Sequence, residues 1–322
     1  MADLQYSSVV FDDVDHYRQW SDEMGWELQS TQLSHGRNRI AFDHVAFGEF
    51  SVAHHCAQRT MYDAFDIPSG HIVFVICRAK LPAVWCGMEL PPSVLAIHRP
   101  VRTYTARLPA GWDTYEFTVS EALIERTELF PLDFFDKTTR IEQALLPLVE
   151  PQTGNFLKRI DSCFRLIRSA SGVTEGAVSA TEVYSFILHG LQQLIDAGLD
   201  IGLTHSLAAT RRADLVEHAR DFMIGNLQLD LSADEIADSL GVSYRVLNYA
   251  FQDTLGVSPY RYLMTEKLHA VRRKLKTSDA PIADICSSYG FVTPSRFARQ
   301  YQRLFGELPS ETRIKYKRNR SW

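Results

Sequence analysis

One pattern occurs twice in the C-terminal third of the chain, and it restricts the fold more than any other feature. The first copy, SADEIADSLGVSYRVLNYAFQDTLG, runs from Ser232 to Gly256; the second, PIADICSSYGFVTPSRFARQYQRLFG, runs from Pro281 to Gly306. Each reads as a short helix, a glycine-containing turn, a longer helix with one polar face, and a closing glycine. That is helix-turn-helix grammar, in which the second helix lies in the major groove of DNA.

Local signals agree in both copies. Ser232 and Glu235 form a capping-box pair, and Ile236, Ala237 and Leu240 supply an apolar face before Gly241. Ser243 caps a second helix whose Leu247, Ala250, Phe251 and Leu255 recur at helical spacing. Its other face presents Tyr244, Arg245, Asn248, Tyr249 and Gln252 as candidate DNA contacts. In the second copy Thr293-Pro294 reads as N-cap and first helical residue. Phe297, Tyr301, Leu304 and Phe305 then pack, leaving Ser295, Arg296, Arg299 and Arg303 outward. Between the copies, Ser258-Pro259 opens a helix to about Lys276, roughly 27 Å long. A strut of that size holds two reading helices close to the ~34 Å between successive major-groove faces.

At these residues the chain resembles the DNA-binding domain of the AraC/XylS family of transcriptional regulators. The matching pieces are IADSLGVS, LGVSPYRYL, KLHAVRRKL, IADICSSYGF, RFARQYQRLFG and LPSETR, in that order. They cover about the last third of the chain. Three positions depart from the family: Tyr249 replaces a basic or amide residue, Cys286 an alanine, and Thr312 a tyrosine. Only the first bears on base preference. The resemblance implies double-stranded DNA and RNA polymerase as partners, a homodimer, and an effector-sensing N-terminal domain.

Charge is divided unevenly. From Ser206 onward there are 18 basic against 13 acidic residues, and before it 16 basic against 26 acidic. The overall net charge of −5 therefore hides a basic end suited to DNA. Five scattered cysteines without a C-x-x-C read as free thiols. The N-terminus MADLQYSSVVFDD is no signal peptide, and no apolar run approaches a membrane span, so the expected location is cytoplasmic.

The expected fold class is α+β. Residues 1–120 read as a cupin-like effector-sensing β-barrel: a short helix and a first strand, a hairpin over Arg39 to Cys56, then strands split by Pro68-Ser69-Gly70, Pro91-Pro92 and Pro109-Ala110-Gly111. Residues 121–198 read as helices (EALIERTEL, TTRIEQALLPLVE, NFLKRIDSCFRLIRSA and SATEVYSFILHGLQQLIDAG) that pack on the barrel or on a second subunit. Residues 199–210 read as a linker, and 211–322 as the DNA-binding domain.

No nucleophile elbow, P-loop or dinucleotide fingerprint occurs, so no enzyme is expected. His54, His55 and Cys56 are the densest set of metal-ligand types. Strand alternation lets only His54 and Cys56 share a side, and no metal is expected there. Arg37, Arg39, Arg99, Arg102 and Arg107, with Asp43, are candidate effector contacts, because arginine forks suit carboxylates and phosphates. The segment from Asp43 to Gly48 faintly resembles a cyclic-dinucleotide-binding element of PilZ domains, with Val45 in place of its serine and no R-x-x-x-R. The expected function is a transcriptional regulator, an activator, responding to a small molecule. An anionic phosphorylated or cyclic-dinucleotide effector is the alternative, and an adaptor or ligand-binding protein without regulatory DNA binding is the alternative of another class. No cofactor is expected.

Overall fold

Antiparallel pairing dominates the first half of the computed structural model. It describes residues 4–78, 80–91, 93–100, 103–131, 141–170, 179–202, 204–207 and 211–319. A first strand, β1 (Gln5–Phe11), precedes helix α1 (Val14–Glu23), the reverse of the expected order. Asp13 fixes the start of α1 by accepting the Asp15 N–H at 2.9 Å. Then follow β2 (Leu28–Gln32), β3 (Ile40–Ala46), β4 (Phe50–Ala57), β5 (Met61–Phe65), β6 (His71–Cys77), β7 (Ala83–Trp85), β8 (Met88–Leu90), β9 (Val94–His98), β10 (Tyr104–Leu108) and β11 (Trp112–Ser120). The expected hairpin is β3–β4, turning through Gly48 at φ +72°.

Two open sheets result. The larger has the order β1-β3-β4-β11-β6-β9-β12-β13 and the smaller β2-β5-β10-β7-β8. They do not close into a ring, so the barrel expectation reduces to a strand-rich domain of two layers. Between the layers lies a core that includes Ile40, Met61, Val75, Trp85 and Trp112, roofed at one side by α1.

Helix α2 (Glu121–Thr127) begins at Ser120, as its sequence indicates. The segment TTRIEQALLPLVE corrects the helical reading: its described part is strand β12 (Ile141–Pro147), paired with β9 and with β13 (Thr204–Leu207). An apolar run of that length fits either period, and the open edge of β9 decides it. The same pairing puts residues 204–207 of the expected linker into the sheet. Helices α3 (Gln152–Ala170) and α4 (Ala180–Ile201) cover the outer face of the larger sheet. Their stripes, Phe156, Ile160 and Phe164 and Val183, Ile187 and Leu191, join Phe74, Ile97 and Phe117 in one core. The stripes are thus spent within the chain.

The C-terminal domain is all helix: α5 (Arg211–Gly225), α6 (Ala233–Ser239), α7 (Tyr244–Leu255), α8 (Pro259–Thr277), α9 (Ile282–Ser288), α10 (Pro294–Phe305) and α11 (Pro309–Asn319). Val216, Ile236, Phe251, Leu263, Val271, Phe297 and Tyr301 belong to its core, which among the described residues takes Leu33 and Tyr62 from the strand-rich domain. Among the described residues no helix is long and apolar enough to cross a membrane, and all five cysteines are free.

Candidate nucleic-acid interface and sensor cavity

The two copies fold alike down to their caps. The Ser232–Glu235 capping box is present, and Ser243 accepts from the Val246 N–H at 3.4 Å. Helices α7 and α10 end in left-handed glycines at φ +69° (Gly256) and +70° (Gly306), and the turns carry Gly241 and Gly290 at +67° and +82°. Pro294 opens α10 as expected, but Thr293 makes no side-chain cap bond; the proline fixes that start instead.

All nine candidate DNA residues lie off the core. Tyr244, Arg245, Tyr249, Gln252, Ser295, Arg296, Arg299 and Arg303 are exposed, and Asn248 is half-buried. Arg245 lies over the Tyr249 ring, 5.5 Å from its centroid, with Nη2 3.5 Å from the hydroxyl. The unusual tyrosine thus supports an arginine one turn away. Two residues were missed. Val246 and Val292 are exposed apolar side chains beside these faces, Val292 at 89 %. Such groups suit a thymine methyl; their signal was a position off the apolar stripe.

Helix α8 joins the copies over 19 residues, about 28 Å. It also rests on the strand-rich domain. Thr31 donates to Glu266 at 2.7 Å, and the Gln32 side chain donates to the Leu304 carbonyl at 2.9 Å. Asp13, with 1 % of its side chain exposed, accepts from Arg272 (3.1 Å), Lys276 (2.6 Å) and Tyr316 (2.7 Å). Burial alone would raise its pKa, but Arg272 and Lys276 hold it well below the carboxylate range.

Two candidate effector arginines turn up at the closing glycines instead. Arg37 donates through Nε to the Gly306 carbonyl at 3.3 Å. Arg107 Nη1 sits 3.1 Å from where a Cβ on Gly256 would be. Burial pulls the Arg107 pKa down, opposed by Glu89 and by Asp253 of α7. Helices α7 and α10 therefore each have an arginine of the strand-rich domain at the C-terminal end, where the helix dipole favours a cation. A Cβ at Gly306 would also lie 2.9 Å from the Arg37 backbone nitrogen, whereas one at Gly241 meets nothing within 4 Å. Both alanine variants pay the left-handed strain of about 1–2 kcal/mol. Gly306→Ala should cost about 1–3 kcal/mol more for the clash, read by denaturant unfolding of the two variants. Equal costs would contradict the Arg37 contact.

Of the other candidates, Asp43 pairs with Arg168 at 2.6 Å and accepts from Tyr6, and the Arg99 carbonyl accepts from Tyr104. Arg39 is exposed. Arg102 lies outside the described residues. None of the five described candidate arginines and acids lines the cavity between the sheets.

That cavity, about 390 Å³, is walled by both sheets and α1. Its polar groups are His44, His55, Asp63, His71, Glu116 and the Tyr17 hydroxyl among others. Asp63 accepts from Ser30 at 2.5 Å, and burial pushes its pKa up to about 6. A carboxylate inside the apolar strand MYDAF was the overlooked signal. Here, among the described residues, the smaller sheet lies between the cavity and the helices. On β10, Ala106 and Leu108 line the cavity while Arg107, between them, reaches α7. On β5, Asp63 and Phe65 line it while Tyr62 packs on Arg220 at 4.6 Å.

On the opposite face of the larger sheet, His54 and Cys56 do share a side, 3.3 Å apart, and Asp113 joins them 2.9 Å from His54. Burial disfavours the His54 charge, yet bonds to Asp113 and Cys56 carry its pKa up to about 9. Arg78 pairs with the same Asp113 at 3.2 Å and ties it to Asp161 of α3. The cluster reads as a pin between sheet and helix.

Comparison with known proteins bears on the last third of the chain. A family model described as a helix-turn-helix domain matches residues 236–315. The XylDLEGF operon transcriptional activator of Pseudomonas putida is 34% identical over 99 residues, 30% of this chain and 31% of that protein. A probable thc operon regulatory protein of Rhodococcus erythropolis is 33% identical over 100 residues, 30% of each chain. The chain thus spans under a third of the length of these relatives. A solved transcriptional regulator with an AraC-type DNA-binding domain, from Chromobacterium violaceum, is 30% identical, covering 32% of this chain and 92% of that one, with a TM-score of 0.32. With the doubled motif, its caps and its connecting helix in place, the last third of the chain is a helix-turn-helix domain similar to those of XylS- and AraC-type transcriptional regulators.

Proposed function

We propose that this protein is a sequence-specific transcriptional regulator, an activator, whose two reading helices are set by a small molecule held between the sheets. The observation that carries the reading is the pair of exposed polar faces on equivalently capped helices joined by α8. In this reading Arg245, Asn248 and Tyr249 meet bases from one helix, and Ser295, Arg296 and Arg299 from the other. Arginine suits guanine and asparagine suits adenine. Effector control follows from the smaller sheet lying between cavity and helices: a ligand that shifts β10 or β5 moves Arg107 and Tyr62 with them.

The two-layered strand domain is taken as cupin-like because it encloses a cavity between facing sheets. Residues 211–322 are taken as a unit because their core draws so little from elsewhere. A homodimer, RNA polymerase as partner, a cytoplasmic location and the lack of an enzymatic role accompany the regulator reading. The anionic-effector alternative loses ground, since no lysine or arginine lines the cavity among the described residues.

The test is the affinity of the full chain for an operator selected from random DNA, measured against salt. Phosphate contacts release counterions, so six or more of them should weaken binding by ~10³-fold between 50 and 200 mM salt. Flat salt dependence, or no binding to any selected DNA, would contradict the assignment.

A further inference from the structure

We infer that the cavity between the sheets binds an organic cation, an alkyl- or arylammonium, in an aromatic cage closed by Asp63 and Glu116. The inference deepens the sensor reading above and rests on it only for the consequence to DNA binding.

Shape and lining carry it. A volume near 390 Å³ admits a small organic molecule rather than a lone ion. Tyr17, Trp20, Trp26, Phe42, Trp85 and Trp112 line the walls, from α1, the segment after it and both sheets. Aromatic faces attract cations, most strongly when water is excluded. The same walls hold two carboxylates and, among the described residues, no lysine or arginine. Asp63 is 4 % exposed, and its hydrogen bond comes from the neutral Ser30 hydroxyl. Tyr17, Asp63 and Glu116 line the same cavity.

The internal alternative is that His55 serves as their counter-ion. Its Nδ1 stands 3.6 Å from Glu116, beyond hydrogen-bond reach, while its ring tilts against Tyr17 and Phe42 at 5.5 and 5.7 Å. His44 is a half-buried base of the same wall; burial lowers its pKa, and Glu116 opposes that shift. His71 is held by the Ser69 carbonyl at 3.1 Å, at the surface. His55 is thus the base that stands nearest Glu116, short of a hydrogen bond, and among the described residues no lysine or arginine of the wall pairs with either acid. An incoming ammonium supplies a cationic partner, and a carboxylate or phosphate would meet two like charges.

The experiment is calorimetric titration of the full chain at pH 8 with 2-phenylethylammonium, its neutral counterpart 2-phenylethanol, the anion phenylacetate, and choline as a second cation. At least one cation should bind ten-fold or more tighter than both the alcohol and the anion. Asp63→Asn and Glu116→Gln should each remove ten-fold or more of that preference, while alcohol binding stays within two-fold. Equal or tighter binding of phenylacetate, no binding of either cation at 10 mM, or a preference unaltered in both variants would overturn the assignment. DNA binding followed in parallel separates the two claims. A cation that binds but leaves DNA affinity unchanged refutes the sensor role alone, and an anion that binds the cavity and changes DNA affinity refutes the cation site alone.

Discussion

Asp13→Asn should destabilise the full chain by about 3 kcal/mol, although it only replaces a buried carboxylate with its own amide. The variant keeps the cap on α1 but removes the charge that Arg272 and Lys276 surround. Those cations are themselves buried, so stripping their shared anion leaves them under-compensated. Glu307 at 2.9 Å from Arg272 and Asp15 beside Lys276 keep the cost at the low end. Asp12→Asn is the internal control. Asp12 is 69% exposed and pairs with Lys315, a surface bridge expected to be worth under about 1 kcal/mol. The pH dependence has a definite sign. A carboxylate held below its ordinary 3.8 contributes stability above that value and loses it as pH falls further. The Asp13→Asn deficit should therefore be level from pH 8 to 5 and shrink below pH 4. Denaturant unfolding of the three proteins across that range checks it. A deficit no larger than that of Asp12→Asn would remove Asp13 from the domain contact.

Asp63→Asn should have the opposite effect: a more stable protein. Here burial raises the carboxyl from 3.8 to about 6, with Ser30 and His55 opposing and Glu116 reinforcing. An acid whose folded pKa is raised is fully stabilising only below its unfolded pKa, and that contribution is lost as pH rises through the folded value. A shift of about two units corresponds to roughly 3 kcal/mol lost by pH 8. Asparagine accepts from Ser30 without that penalty, so the variant should gain up to ~3 kcal/mol at pH 8 and nothing below pH 4. Retaining a charge at such a cost is what a binding site looks like from the side of stability. A variant no more stable than wild type at pH 8 would mean that Asp63 is already compensated within the apo protein.

How much of this was legible in the sequence differs between the two ends. The helical end was readable because its signals are local: Ser232 with Glu235, Ser243, Pro294 and the four turn glycines each act within a few residues. Even there, Thr293 failed as a cap because the proline beside it had already set the backbone. The strand-rich end was readable only as a run of strands. Whether Ile141–Pro147 is helix or strand depends on the free edge of β9, some 45 residues away, and no periodicity records that. The arginines were read by their chemistry alone. Arg37 and Arg107 do lie beside negative poles, but these are the C-terminal ends of α10 and α7 rather than a ligand. Asp63, the buried acid of the cavity, was passed over because one carboxylate in one strand gains meaning only when α1 and both sheets close around it. The alternation rule, in contrast, separated His54 and Cys56 from His55 correctly, since it needs nothing beyond the strand itself.

The central claim is that two equivalent helices of one chain each read their own cluster of bases, and randomised-site selection tests it most directly. Wild type, Arg245→Ala, Arg299→Ala and Lys274→Ala would be selected in parallel on random DNA. Wild type should recover two short base clusters about 10 base pairs apart, one groove turn. Arg245→Ala and Arg299→Ala should each cost about 1–3 kcal/mol and blur only one cluster, a different one in each case. Lys274→Ala, altering an exposed lysine of α8, should leave the preferred sequence intact, because a phosphate contact carries no base information. Loss of preference at the same bases in both arginine variants, or no change in either, would contradict the two-groove account.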